Sequence, residues 1–333
     1  MSIAPSSTCT LRFVLLCLGL FLQACSFTPW LPTPGTAPSS GALQTRLLDV
    51  AYPLLTASAD WCPFDQEPTY GFLLREDAGG AGAENTPVQG RAVVAYVHPR
   101  LPAAVAGLTV EDEIFQVNTA SIRGNSADKV GQLIGRLTRA KIQPLQLEII
   151  RGGQSHTVVV SSMPACHYAM LVLDTDLING ITDGRRIGVT RGAMQLFTVD
   201  DELAWVVAHE IAHNILNHVQ NAKLQAMLRA FLATRGEVPG STATMPPRPA
   251  LESQADYVGA YLMARAGYDL SAVKRVWERF QSIEVRHGRK EHGLAQTHPP
   301  TKERLAAFEV TLQEIESKRQ AGQLLDFRLE GEH

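Results

Sequence analysis

A-W-V-V-A-H-E-I-A-H-N-I-L-N-H, residues 204–218, is the stretch on which the reading of this chain turns. Leu203, Val207, Ile211 and Ile215 recur at near-helical spacing, and Thr198-Val199-Asp200-Asp201 just ahead reads as a capping box, so the pattern predicts a helix through the whole stretch. On that helix His209 and His213, four residues apart, leave one face a turn apart and can take two adjacent corners of a metal tetrahedron. Glu210 between them cannot easily join the same ion, but its carboxylate can lie beside a water at the metal and take its proton. His218, five residues past His213, falls on another sector of an ideal helix and is read as structural.

So short a motif also arises by chance, so the reading needs a further ligand. A second predicted helix, residues 251–266 closed by Gly267, carries Glu252 and Asp256 on one face. Two histidines and a carboxylate complete three protein ligands and leave a fourth corner for water, which makes Glu252 the third ligand. Asp256, one turn on, can accept the other ring N–H of a ligand histidine and hold its tautomer. Residues 233–250, rich in Pro, Gly, Ser and Thr, separate the two helices as either a flap or a disordered linker.

His209-Glu210-x-x-His213, then Glu252-x-x-x-Asp256, then Thr297-His298-Pro299 with Arg304 five residues beyond the proline, together resemble the family-48 zinc metallopeptidases over about residues 168–315. That resemblance implies one Zn2+ per chain on His209, His213 and Glu252, with Glu210 as the catalytic base. It also places His298 near the metal, where an imidazole either stabilises the oxyanion or fills the open coordination site, and pairs Arg304, at the start of a helix over 301–318, with Asp256. In proteases of this build an edge strand before the metal helix holds substrate as an added strand, and residues 186–190, following the turn-rich 179–184 and an earlier strand at 170–174, are the candidate, with a core strand that carries no substrate as the other reading. Asn179-Gly180 departs from the Asn-Ala-Phe of many relatives, which bears on the shape of the substrate wall.

Working outward, residues 70–162 change to short β-rich runs at 92–97, 113–117, 145–150 and 156–160, with a helix at 126–138. Leu101-Pro102-Ala103-Ala104-Val105-Ala106-Gly107-Leu108, followed by Asp112-Glu113-Ile114 and Val117-Asn118, resembles the bacterial PDZ pattern. A PDZ fold takes a peptide as an extra strand. Tyr70-Gly71-Phe72-Leu73 reads either as the carboxylate-binding loop of such a domain, making polypeptide C-termini the ligand, or as an ordinary strand.

Nearer the start, Arg12 precedes the apolar run 13–22, which is too short to span a bilayer and suits a secretory signal. Leu22-Gln23-Ala24-Cys25 resembles a bacterial lipobox, implying cleavage before Cys25, acylation of its sulfur and a membrane anchor. Ser26 next to it resembles the signal for the outer membrane. Residues 27–41 read as a tether, and residues 43–59 as a helix that Pro53 must bend or interrupt. Cys62 and Cys166 are the two cysteines of the folded part; in an exported chain they are most simply a disulfide, with two unrelated thiols as the other reading. The chain is 45% hydrophobic and 19% charged with net charge -3, and without a basic stripe it offers nothing to nucleic acid.

The expected fold class is α+β: a mainly helical zincin-type metalloprotease domain with a small edge-exposed sheet, plus an inserted β-rich PDZ domain. The expected divisions are 1–24 signal peptide, 25–42 lipidated Cys25 and tether, 43–67 first helix of the protease domain, 68–163 PDZ insertion, 164–321 metallopeptidase and 322–333 tail. The expected function is a zinc endopeptidase anchored by lipid in the periplasm, at the inner leaflet of the outer membrane of a Gram-negative bacterium. Its PDZ domain would recruit unfolded or mis-assembled polypeptides. The other reading is a PDZ-based binding or chaperone-like factor with a structural or self-inhibited zinc site.

Overall fold

In a computed structural model of the chain, residues 41–62, 66–77, 90–219, 248–287, 298 and 301–329 are described. The segments expected to be signal peptide and tether up to residue 40, with Cys25 between them, and residues 233–247, Thr297 and Pro299 lie outside them. The fold is mixed α+β, with two sheets and two main apolar cores among the described residues.

Helix α1 (Gly41–Ala57) runs unbroken through Pro53. It buries Leu47, Val50, Ala51 and Leu54, and packs on elements more than a hundred residues downstream. The chain then forms an antiparallel sheet from β1 (Phe72–Asp77), β2 (Arg91–Val97), β3 (Glu113–Val117), β5 (Leu145–Arg151) and β6 (Gln154–Val160) in the order β1-β2-β3-β5-β6, with the short β4 (Ala120–Ser121) on β3. Helix α2 (Pro102–Val105) follows β2, and α3 (Ala127–Arg139), capped by the Ser126 side chain, lies against β1 and β2. Alternate residues of the strands turn inward, so Val94, Val117, Leu145, Leu147, Ile149 and Val160 meet Val130 and Ile134 of α3 in one core. Gly71 at φ +82° brings the chain against Leu101, where an added Cβ would lie 2.3 Å from the Leu101 Cβ.

The second core is built by α1, a three-stranded sheet and five helices. The sheet comprises β7 (Ala169–Leu173), β8 (Gly180–Thr182) and β9 (Arg186–Thr190), ordered β7-β9-β8. Two expectations are corrected here. Residues 180–182, read as turn, are a strand paired antiparallel to β9. Consequently β9, proposed as the substrate edge, is the central strand, parallel to β7 on one side and bonded to β8 on the other, and has no free edge. The hairpin closes because Asp183 accepts from the Arg185 and Arg186 backbone N–H and from the Arg186 guanidinium.

Helices α4 (Arg191–Leu196), α5 (Asp200–Ile215), α6 (Arg248–Ala266), α7 (Ala272–His287) and α8 (Lys302–Gln320) follow. Every residue of α5 from Glu202 to Asn214 is buried, so it is a core helix rather than an amphipathic one. Thr198 does not cap it: Val199 stands at the N-cap with no side-chain bond. Asp200, Asp201 and Glu202 put negative charge in the first turn instead, where the helix dipole favours it. Residues 322–329, in the segment expected as the C-terminal tail, pack back on the helices. Phe327 packs edge-on to Trp61 at 4.8 Å, Trp61 Nε1 donates to Asp326 at 2.8 Å, and Phe327 and Leu329 border the small cluster of Ala212, Ala255 and Val258 between α5 and α6.

Cys62 and Cys166 form a disulfide with Cα atoms 5.8 Å apart, closing a loop that begins and ends at the base of the first sheet. Beside it, Gln66 bridges Cys166 and Thr69 bridges Met163, so the two connections run paired. A loop with sequence separation 104 is worth about 4–5 kcal/mol in the chain-entropy model. The double change Cys62→Ser/Cys166→Ser is therefore expected to lower the denaturation midpoint clearly; a midpoint equal to the parent's would mean that the paired strands alone restrain the loop.

Candidate metal centre

Close packing of α5 on α6 creates the site. Gly259 of α6 faces the backbone of Ala208 and His209 across the helix contact, where an added Cβ would sit at 3.4 Å, ordinary van der Waals distance. His209 and His213 project from α5, Glu252 from α6, and His298 reaches in from just before α8. One ligand atom from each of the four lies within 4.8 Å of all the others. His209 Nε2 is 3.1 Å from His213 Nε2, 3.2 Å from Glu252 Oε2 and 3.2 Å from His298 Nδ1. Glu252 Oε2 is 2.6 Å from His298 Nδ1, and Glu252 Oε1 is 3.6 Å from His213 Nε2. A tetrahedron with metal–nitrogen bonds near 2.0–2.1 Å has edges of about 3.3 Å. Most of these separations match that edge, so the donor set fits a metal ion.

Glu210 stands beside the donors without joining them, 2% exposed, with Oε1 3.4 Å from His298 Nε2. A cavity of about 20 Å³, room for a single water, lies against Glu210, His298, Trp205 and Arg304. Burial raises the Glu210 pKa, the direction that brings a carboxylate toward proton exchange near neutral pH. Burial opposes a charge on His209 too, but Asp256 and Glu252 outweigh it and raise its pKa to about 9. Burial, with His209 adding to it, takes His213 down to about 2. Burial works against the Glu252 carboxylate as well, and the histidines bonded to it win and lower its pKa.

Asp256 Oδ1 lies 3.0 Å from His209 Nδ1, although the ring N–H is not aimed along that line closely enough to count as a hydrogen bond. The distance governs, because the charge attraction is little sensitive to that angle. Arg304 closes a fork on the same carboxylate, Nε to Oδ2 at 2.6 Å and Nη2 to Oδ1 at 2.7 Å, with both residues buried. Cys62 and Cys166 take no part in this cluster.

His218 is the residue that helical spacing misplaces. The α5 helix ends at Ile215, and Asn217 at φ +54° turns the chain back. His218 Nδ1 thereby comes to 2.9 Å from His213 Nδ1, and its Nε2 to 3.2 Å from Gln254 Oε1. An Asn four residues beyond His213 and directly ahead of His218, free to take the left-handed conformation, is the signal that could have found this.

Residues 156–311 match the model of peptidase family M48. The mitochondrial metalloendopeptidase OMA1 of Schizosaccharomyces pombe is 40% identical over 70 residues, 21% of this chain and 20% of that protein. Residues 156–311 are a peptidase family M48 domain. The M48 domain thus belongs to a family of metallopeptidases, and the donor cluster is built on its helices. The chain spans only about a fifth of the relative it matches. A crystal structure of the HtrA3 PDZ domain bound to a phage-derived ligand aligns with 30% of this chain and 88% of its own, at 18% identity and TM-score 0.24.

Of the M48 domain's three-stranded sheet, β8 is the strand beside Glu210. A Cβ on Gly180 would meet Val206 Cγ1 at 2.9 Å and Glu210 Oε1 at 3.2 Å. Gly180→Ala must therefore displace the Val206 methyl or the Glu210 carboxylate by a few tenths of an ångström, and turnover is expected to fall, by less than the roughly hundredfold that a misplacement of about 1 Å costs. Turnover of the variant against the parent, with metal content measured alongside, checks this; an unchanged rate would place the working position of Glu210 elsewhere.

Proposed function

We propose that the chain is a zinc endopeptidase in which His209, His213 and Glu252 hold the ion and Glu210 moves the proton. The observation that carries this is the convergence of two imidazoles and a carboxylate from facing helices, with a buried carboxylate beside them and outside the donor set. Zinc suits an N2O donor set and supplies, when bound, polarisation of the scissile carbonyl and a more acidic water. Glu210 takes a proton from the attacking water and delivers it to the leaving amine. Substrate lies along β8, the edge strand on the Glu210 side, pairing with it as an added strand. Asp256 and Arg304 keep His209 oriented.

His298 supports a self-closed resting form. Its Nδ1 sits among the donors at 2.6 Å from Glu252 and 3.2 Å from His209, where it takes the corner a water or substrate oxygen needs. The His298→Ala variant is expected to keep zinc and cleave unfolded casein faster than the parent, with cleavage stopped by a chelator and restored by zinc. Slower cleavage would make His298 a stabiliser of the oxyanion instead. Zinc bound with no cleavage by either form would favour the binding-factor reading.

Recruitment by a PDZ-like unit is part of the same proposal. The outer edge of β1 borders a cleft of about 370 Å³ whose walls include Phe72, Leu73, Gly131, Ile134, Gly135 and Thr138. An edge strand beside a helix is the arrangement in which a polypeptide end adds as a strand. Lipid attachment at Cys25 and a place at the periplasmic face of the outer membrane follow from the lipobox resemblance, and unfolded or mis-assembled envelope polypeptides are the substrates such a location offers.

A further inference from the structure

We propose, resting on the metallopeptidase reading, that His218 and Gln254 set the tautomer of His213 and so act as positioning residues for the metal. His213 turns Nε2 toward the other donors, 3.1 Å from His209 Nε2. Only a nitrogen with a free lone pair can bind a metal, so the ring proton of His213 must sit on Nδ1. A neutral imidazole has no strong preference of its own between its two nitrogens; the neighbour of Nδ1 decides.

The two ligand histidines meet different neighbours. For His209 the neighbour is Asp256, which as a carboxylate only accepts, and the proton is drawn to Nδ1 by charge. For His213 the neighbour is a second imidazole, with His218 Nδ1 at 2.9 Å. Two facing imidazole nitrogens share one proton, and the pair alone is satisfied whichever ring carries it. If His218 donates, His213 must carry its proton on Nε2, directed into the donor cluster, and that corner is lost.

Gln254, with its amide oxygen turned toward His218, breaks the tie. Its Oε1 lies 3.2 Å from His218 Nε2, and an amide oxygen accepts. His218 then holds its proton on Nε2, presents a lone pair at Nδ1 and accepts from His213 Nδ1–H, which leaves His213 Nε2 bare for the metal. The chain runs in one direction from the site to an amide on the same helix as Glu252, two residues along. His213 and His218 are each 7% exposed, so bulk water is poorly placed to substitute for either link. The turn at Asn217 is what makes the arrangement possible.

The test is zinc affinity of the full chain by competition with a chromogenic chelator, for the parent, His218→Leu, His218→Asn and Gln254→Leu. Loss of such an outer partner weakens metal binding roughly 10–100-fold, and His218→Leu is expected to show it. His218→Asn keeps an acceptor oxygen near the place of Nδ1 and is expected to recover most of that loss, which a residue that merely fills space would not do. Gln254→Leu is expected to fall between. Nitrogen-15 spectra of the zinc-loaded parent give a second readout: protons on His213 Nδ1 and His218 Nε2 are expected. A proton on His218 Nδ1, or equal affinity in His218→Leu and parent, overturns the inference alone. A parent that binds no zinc overturns it together with the reading on which it rests.

Discussion

Glu210→Gln is expected to lose peptide cleavage by roughly 10²–10⁴-fold, the usual share of a positioned general acid–base, while holding as much metal as the parent. Glutamine has nearly the shape of glutamate and keeps an oxygen facing His298 Nε2, which lies 3.4 Å from Glu210 Oε1, so the packing of a side chain only 2% exposed survives the change. What it cannot do is take a proton. Glu210 lies outside the group of side chains whose ligand atoms converge, so its loss leaves that group intact. Burial holds the Glu210 pKa up, and a base with a raised pKa takes the proton more readily and still releases it to the leaving amine near neutral pH. Side-by-side cleavage and metal assays check the expectation, and retained cleavage would move the base to another residue.

Arg304→Met is expected to be the most damaging single change away from the donors. Arg304 and Asp256 are 4% and 3% exposed and joined by two hydrogen bonds. Removing Arg304 breaks that buried pair and leaves Asp256 with only the off-line contact to His209, and breaking such a pair costs up to about 3–5 kcal/mol. That is a large part of the roughly 5–15 kcal/mol by which most domains are stable. The same carboxylate lies 3.0 Å from His209 Nδ1, so metal affinity should fall with stability. Arg304→Lys should not rescue either property, because an ammonium cannot reproduce the two-pronged contact. Adding Asp256→Asn should cost less than its single effect, since the stranded charge is then gone. Urea midpoints of the metal-free proteins read all of this, and a midpoint for Arg304→Met within experimental scatter of the parent's would contradict it.

Much of this site was legible in the sequence because its spacing is helical. His209, Glu210 and His213 on one helix, and Glu252 with Asp256 on another, need only the 3.6-residue period to be placed on their faces. The approach of those faces, and of His298 and Arg304 from far along the chain, is set by tertiary packing that no local period encodes. It entered through the resemblance to a family. The errors fell where local rules give way. Residues 180–182 read as turn because Asn, Gly and Asp dominate the segment, yet Ile181 and Thr182 find strand partners in β9. That single miss also turned β9 from a central strand into a supposed edge. The helical period does not place His218, because it holds only to Ile215 and the turn at Asn217 brings His218 back against His213. Val199 replaced Thr198 at the helix start because three acidic residues in the first turn make a capping side chain dispensable.

The most direct measurement is an anomalous difference map at the zinc absorption edge from crystals of the zinc-loaded protein. One peak is expected per chain, at about 2.0–2.2 Å from His209 Nε2, His213 Nε2 and a Glu252 oxygen, with Glu210 beyond bonding distance. No peak at that point, or a peak held by other side chains, would contradict the assignment of these residues as the metal centre.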